Sequence, residues 1–263
     1  MYNMTTSLVE DRSPPGYAAA TRTEIGSRPS QQDRVLICGG DGELFAFLCD
    51  GMGGTAQGEM ASQRTADILC KLFSDADTHE MALKQPTVFL KLALTKSDEA
   101  VHRDASLNRS GTTLTALLLI GRRLYWSSVG DSRLYIMRGD EIVQATRDHN
   151  YRLYLDELMR QKRISRKQYE AELHRGRALI SFIGIGNLPV FDLTQTPFVI
   201  FPDDIFLLTS DGLTGLLSEL EIQSVLRSGG TLEQRADRLM QKALTRGHGL
   251  PMDNTTFALI QIL

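Results

Sequence analysis

Apolar residues in this chain fall into short dense runs broken by glycine and aspartate. Residues 17–25 mix β-branched and small side chains and predict a first strand. Residues 34–38 and 43–49 predict two more, joined through Gly39-Gly40-Asp41-Gly42, a hairpin signal. The period then changes. Beyond Gly58, apolar residues at Ala61, Ile68, Leu69 and Leu72 share one helical face. Pro86 suits the first turn of a second helix running towards Leu107, with Leu90, Leu94 and Val101 near one face. Strand-length runs return at 113–120, 124–129, 134–137 and 141–145, separated by Gly121-Arg122, Gly130-Asp131 and Gly139-Asp140, and predict a β-meander.

The stretch 148–177 is charge-dense, with helical patterns at 153–161 and 166–173. Its sparse apolar content marks a peripheral flap and not core. Strands are expected again at 179–183, 191–200 and 205–210, followed by helices at 219–226 and 232–244 and a last strand at 256–262. Leu232, Ala236, Leu239 and Ala243 form an i, i+4, i+7, i+11 stripe on the second of these helices. No regular βαβ alternation is present. The pattern argues for an α+β fold, two antiparallel sheets in a β-sandwich flanked by paired helices. One domain, 16–263, is expected behind a loose polar tail, 1–15, that ends at Pro14-Pro15.

Composition narrows the function by exclusion. With 42% hydrophobic and 23% charged residues and a net charge of −3, nothing marks a nucleic-acid or membrane surface. No apolar run approaches the roughly 18 residues that span a bilayer, and the N-terminus lacks a signal-peptide pattern. Cys38, Cys49 and Cys70 are odd in number and lie in or beside apolar runs, which reads as buried thiols in a reducing compartment. A cytoplasmic monomer is expected.

Candidate chemistry sits at three Asp-Gly or Asp-Asn pairs, Asp50-Gly51, Asp211-Gly212 and Asp253-Asn254, each abutting an apolar run. A carboxylate at the end of a buried strand carries a desolvation cost unless a positive charge meets it. Three such groups in like contexts suggest a shared cation, and oxygen-only ligands point to magnesium or manganese over zinc. The glycines of Asp50-Gly51-Met52-Gly53-Gly54 permit close backbone approach, but the lysine of a phosphate-binding P-loop is missing. Asp41-Gly42, between polar ends, reads as a plain turn.

These pairs belong to a longer ordered set. Asp50-Gly51-Met52-Gly53-Gly54 with Gly58-Glu59 and Ala61-Ser62 is followed by Ser110-Gly111-Thr112-Thr113, Gly130-Asp131-Ser132-Arg133 and Thr146-Arg147-Asp148-His149. Ser210-Asp211-Gly212-Leu213 and Asp253-Asn254-Thr255 complete it. In this order the motifs resemble the PPM-type (phosphatase 2C) protein phosphatases, most of all the bacterial stand-alone members, over nearly the whole chain. The resemblance implies a β-sandwich with a two-metal site, Mn2+ or Mg2+, at one end. It implies that Asp50 bridges the metals, that the Gly51 carbonyl contacts one of them, and that Asp211 and Asp253 hold the other. Asp33 would bind metal-ligated water, Arg28 would grip the substrate phosphate, and Asp131 would help hold a third, looser metal.

The activity so implied is hydrolysis of phosphoserine and phosphothreonine in proteins by a metal-activated water, opposing a bacterial Ser/Thr kinase. The chemistry agrees, because a phosphate dianion would be repelled by this aspartate cluster without cations between them. The alternatives are a non-catalytic binding or regulatory protein on the same fold, and a hydrolase of small phosphorylated metabolites. The sequence departs from the family pattern at Arg28-Pro29-Ser30-Gln31-Gln32-Asp33, where relatives read Arg-x-x-Asn-x-Asp. A second departure is 177–184, where relatives carry an Arg-Ala-Leu-Gly element. His149 reads as a cap within the fold, Trp126 as core, and the basic residues Arg160, Lys162, Arg163, Arg166 and Lys167 as a solvated face that would also attract an acidic phosphoprotein.

Overall fold

A computed structural model describes residues 16–40, 42–108 and 110–263, so the expected tail at 1–15 and Asp41 of the first hairpin lie outside the described residues. The first runs form β1 (Tyr17–Glu24), β2 (Asp33–Gly40) and β3 (Glu43–Met52). Helices α1 (Thr55–Ser74), α2 (Ala76–Lys84) and α3 (Pro86–His102) follow. The apolar pattern did not reveal α2; its start is set by Asp75, whose side chain accepts the Thr78 N–H at 3.1 Å, a local N-cap. α3 stops short of the expected Leu107, and Ala105–Leu107 forms a separate 3-10 turn capped by Asp104.

The meander comprises β4 (Gly111–Thr112), β5 (Leu114–Ile120), β6 (Arg123–Val129), β7 (Arg133–Arg138) and β8 (Glu141–Gln144). The flap contributes α4 (Tyr151–Arg160) and α5 (Arg166–Glu172). It is tied at its root: the Tyr151 N–H donates to Ala178 O at 2.7 Å and the Arg152 N–H to Gly176 O at 3.0 Å.

Two expected strands do not form as read. Residues 179–183 make only isolated bridges, Asn150 with Leu179 and Thr112 with Ile183. Beyond them Gly184, Gly186 and Asn187 take positive φ and turn the chain away. The buried Asp98 on α3 holds that turn, accepting the N–H groups of Gly184, Gly186 and Asn187 at 2.8, 3.1 and 2.9 Å. Residues 191–200 shrink to β9 (Asp192–Leu193) and β10 (Phe198–Val199). Pro197 cannot donate to a ladder, and the Thr194 hydroxyl takes the Trp126 N–H at 2.9 Å instead. Asp98→Ala leaves three part-buried N–H donors without their carboxylate and is expected to cost about 1–2 kcal/mol of stability in urea unfolding. A loss below about 0.5 kcal/mol would show that water satisfies the turn equally well.

The chain closes with β11 (Ile205–Thr209), α6 (Asp211–Thr214), α7 (Glu219–Leu226), α8 (Leu232–Gly247) and β12 (Thr255–Ile262). All pairings are antiparallel, in one sheet of order β1-β12-β11-β7-β8 and another of order β10-β6-β5-β3-β2, with β4 and β9 added to β3 and β6. Alternation along β3 shows why its run reads as continuously apolar. Leu44, Ala46 and Leu48 face the other sheet, while Phe45, Phe47 and Cys49 face α1 and α3. On the outer side of the first sheet, Leu207, Phe257 and Leu259 pack against the Leu232, Ala236, Leu239 and Ala243 stripe of α8. Each sheet is therefore buried on both faces, in the sandwich of the expected α+β class. Strand ends and loops at one end of the sandwich carry the acidic residues.

Candidate active site

Register brings the first two carboxylates together. β2 and β3 pair so that Asp33 stands directly opposite Asp50, an arrangement of like charges that costs stability by itself. Asp50 lies inside β3 and not at its turn, because the strand continues through Gly51 and Met52 to pair with β4. Gly51 is required there: a Cβ would meet Gly58 O at 2.2 Å and Gln32 O at 2.9 Å. The Asp50 backbone is clamped by the Ser110-Gly111-Thr112-Thr113 motif. Its N–H donates to Thr113 Oγ1 at 3.0 Å, and its carbonyl accepts from Thr112 Oγ1 at 2.9 Å and the Thr113 N–H at 2.8 Å. Thr113 in turn meets the Ser132 hydroxyl at 2.7 Å, beside Asp131.

The other sheet supplies the remaining acids. Asp211 opens α6 immediately after β11, and Ser210 before it donates to Asp33 Oδ2 at 2.9 Å, linking the sheets. Asp253 precedes β12. Asn254 Nδ2 donates to Ile25 O at 2.8 Å and Ser30 O at 3.1 Å, while its Oδ1 accepts the Gln32 N–H at 2.8 Å. This staples down the loop that carries Arg28, whose Nη2 donates to Asp253 Oδ2 at 2.5 Å. The sequence marked Asp253-Asn254 as a motif but assigned Asn254 no task. The Gln31 departure is absorbed locally: its Oε1 accepts the Asp33 N–H at 2.9 Å, so the amide still orients Asp33.

Arg28, Asp50, Gly51, Asp131, Asp211 and Asp253 line one cavity of about 350 Å3, and Asp33 sits behind its wall, 3% exposed. The charges are mutually unfavourable. Burial, with Asp211 and Asp253 nearby, raises the Asp33 carboxyl to about 6 despite hydroxyl donors at Ser210 and Thr256. Burial and then Asp211 and Asp148 raise Asp131 to about 7. Asp50 is displaced well upward by burial and by Asp33, Asp211, Asp131 and Asp253. Asp211 turns one edge to the open cavity while protein surrounds the rest, and burial and Asp253 raise it too.

One buried oxygen, Asp33 Oδ1, has no hydrogen-bond partner. An orphaned carboxylate oxygen beside four further acids fits a site completed by cations and their water, with a donor set of hard oxygens. Among the described residues, no three His, Cys, Asp or Glu side chains already stand at metal-ligand spacing. Asp253 is turned towards Arg28.

The remaining candidates fall to structural roles. Arg133 is held bidentately by Asp148 at 2.8 and 2.7 Å, bracing the flap root to β7. His149 is fully buried, its N–H donating to Gly130 O at 2.8 Å and its Nε2 standing 3.5 Å from Asp192. Trp126 packs at the edge of the inter-sheet core. Cys49 is buried, and its thiol is raised by desolvation; burial likewise lifts Cys38 to about 11, so neither is poised as a nucleophile. Arg160 and Arg166 pair with Glu157 and Glu170 on the flap surface.

The family model described as Protein phosphatase 2C matches residues 22–246. The serine/threonine phosphatase stp of Listeria innocua is 31% identical over 225 residues, covering 84% of this chain and 85% of that protein. The solved structure of the S. agalactiae serine/threonine phosphatase superposes with a TM-score of 0.80 at 25% identity, over 94% of this chain and 100% of that one. The catalytic domain of the serine/threonine phosphatase PstP, solved in complex with 2 manganese ions, gives a TM-score of 0.68 at 31% identity, over 94% of this chain and 98% of that one.

Proposed function

The chain belongs to the protein phosphatase 2C family, and on that premise we propose that the carboxylate cavity is its active site. The protein is a divalent-metal-dependent serine/threonine phosphatase acting on phosphoproteins. Within that activity, Asp50, Asp211 and Asp253, with the Gly51 carbonyl, would hold two cations, Mn2+ or Mg2+, and Asp131 would assist a third, weaker one. The manganese seen in the PstP catalytic domain supports this choice. The observation that carries the reading is Asp33 and Asp50 paired across strands, with Asp33 Oδ1 buried and unpartnered at the cavity wall.

Bound cations would supply Lewis acidity and lower the pKa of water. The chain's own residues do the rest. Asp33, fixed by Gln31 and Ser210, offers its free oxygen to orient a water. Arg28 spends one N–H on Asp253, and its planar fork leaves donors for the phosphate. Asp192 fastens Arg147 in the flap root, its Oδ2 accepting the Arg147 N–H at 2.7 Å, and Arg177 at the other end of the flap lines the cavity. Among the described residues the cavity lining offers no serine, cysteine or histidine nucleophile, and direct attack of water on the phosphate is the consistent route. A Ser/Thr kinase as the opposing enzyme, a monomeric state and a cytoplasmic site of action complete the proposal. Among the described residues, no helix is long and apolar enough to cross a membrane.

The test is phosphate release from a phosphothreonine peptide by chelator-stripped protein. It should be silent without metal and restored by Mn2+; activity that survives chelation would sink the proposal. Arg28→Ala is expected to raise KM roughly tenfold with a smaller fall in kcat and unchanged Mn2+ affinity. Lysine restores only part of this, since a point charge lacks the fork. An unchanged kcat/KM in Arg28→Ala would take that side chain out of the phosphate site.

A further inference from the structure

A second concavity, of about 460 Å3, opens beside the first. The two share Arg28, Arg177, Asp211 and Asp253, so they form one continuous depression with the arginines at the seam. Beyond the seam the walls change character, and Leu216, Pro251 and Met252 line the groove. Resting on the reading of the carboxylate cavity as the active site, we propose that this groove is a subsite for the phosphoprotein chain. It takes an apolar side chain one or two residues from the phosphorylated serine or threonine.

The groove is built and not incidental. Met252 is pinned on two sides. Its carbonyl accepts the Ser27 N–H at 2.9 Å and its own N–H donates to Ser27 Oγ at 3.1 Å. On the other side it lies against Gly247, where a Cβ would stand 2.4 Å from the Met252 sulfur. Gly26, at φ +64°, lets this loop close down, since a Cβ there would meet Asp253 O at 2.5 Å. The opposite wall is equally fixed: the Leu216 N–H donates to Leu213 O at 3.1 Å, and the side chain packs on the core beneath α7 and α8. Such walls need no ordering when a side chain enters, so burial of apolar surface appears as affinity.

Charge at the seam is balanced among its side chains, so the groove's own walls decide what enters. Arg28 is already paired with Asp253, and the carboxylates of Asp211 and Asp253 face the same seam. Arg177 is the one guanidinium at the seam with no ion pair or hydrogen bond among the described residues, and it lines both cavities beside Asp211. An aspartate placed in the groove would meet a seam whose two guanidiniums already face two carboxylates, so it gains no unopposed cation. A leucine would cover the apolar surface that Leu216, Pro251 and Met252 present.

The experiment compares phosphothreonine peptides that carry leucine, glycine or aspartate at the flanking positions, with p-nitrophenyl phosphate as a substrate that cannot reach the groove. For the unmodified protein with Mn2+, leucine peptides should exceed both glycine and aspartate peptides in kcat/KM by roughly tenfold. Leu216→Asn and Met252→Asn should bring the three peptides close together while p-nitrophenyl phosphate turnover stays within about twofold. Equal turnover of the three peptides by the unmodified protein, or a preference for aspartate, overturns the apolar subsite whatever the variants do. Absent p-nitrophenyl phosphate hydrolysis in the unmodified, metal-loaded protein would instead remove the active-site reading beneath it.

Discussion

Asparagine at Asp50, Asp211 or Asp253 is expected to lower phosphate release at saturating Mn2+ by at least about a hundredfold, because each change removes a charge from a cluster that gathers cations. The replacement is nearly isosteric, and the surroundings should hold their shape. At Asp50 the backbone is gripped by Thr112 and Thr113 independently of the carboxylate. At Asp211 the short helix α6 retains its other hydrogen bonds, such as the Gly215 N–H to Asp211 O at 2.7 Å. At Asp253 the outcome should be compound, since the partner of Arg28 is lost as well. That variant is expected to show a raised KM in addition to a lowered kcat. Steady-state kinetics with p-nitrophenyl phosphate, beside Mn2+ titration calorimetry, checks all three. Near-normal turnover in any one of them excludes that residue from the proposed ligand set.

Metal should also be the largest single lever on stability. A site filled at a hundred times its Kd adds about 2.7 kcal/mol, and each kcal/mol moves the Tm of a chain this size by roughly 2–4 °C. Two sites together should raise Tm by roughly 11–22 °C on that scale. Without metal the pH dependence has a definite sign. Asp33 and Asp131 have folded-state values raised to about 6 and about 7, above the roughly 3.9 of an unfolded chain. Between about pH 4 and pH 7 the folded protein therefore binds more protons than the unfolded one, and stability falls as pH rises through that window. Metal-free protein should melt higher at pH 5 than at pH 8, and Asp50→Asn should raise the metal-free Tm by relieving repulsion. With Mn2+ present the slope should reverse, because protons then compete with the cation for the same oxygens. Differential scanning calorimetry at several pH values, with and without chelator, reads both signs. A flat metal-free profile would mean that the carboxylates do not press on one another as their positions require.

How much was legible in advance follows from how far each signal reaches along the chain. The strand runs, the α8 stripe and the Asp-Gly pairs are patterns within a few residues, and burial of one or both faces of an element writes them directly into the sequence. The order of the motifs, and so the family and sandwich class, could be read the same way. Short elements governed by a single hydrogen bond could not. α2 depends on an Asp75 cap, and the loss of the expected strand at 179–183 depends on Asp98, which belongs to a helix far upstream.

The site itself depends on longer reach still. The sequence by itself determined that the chain carries isolated carboxylates beside apolar runs, because such residues must be compensated wherever the chain places them. Only the tertiary structure decided that Asp33 faces Asp50 across a ladder, that Ser210, 177 positions away, donates to Asp33, and that Asn254 fastens the Arg28 loop. It alone placed Met252 and Leu216 around a groove sharing the walls of the acidic cavity. The reason is that strand register and the stacking of two sheets are set by the burial of many side chains at once, so no local pattern records which distant residues will meet.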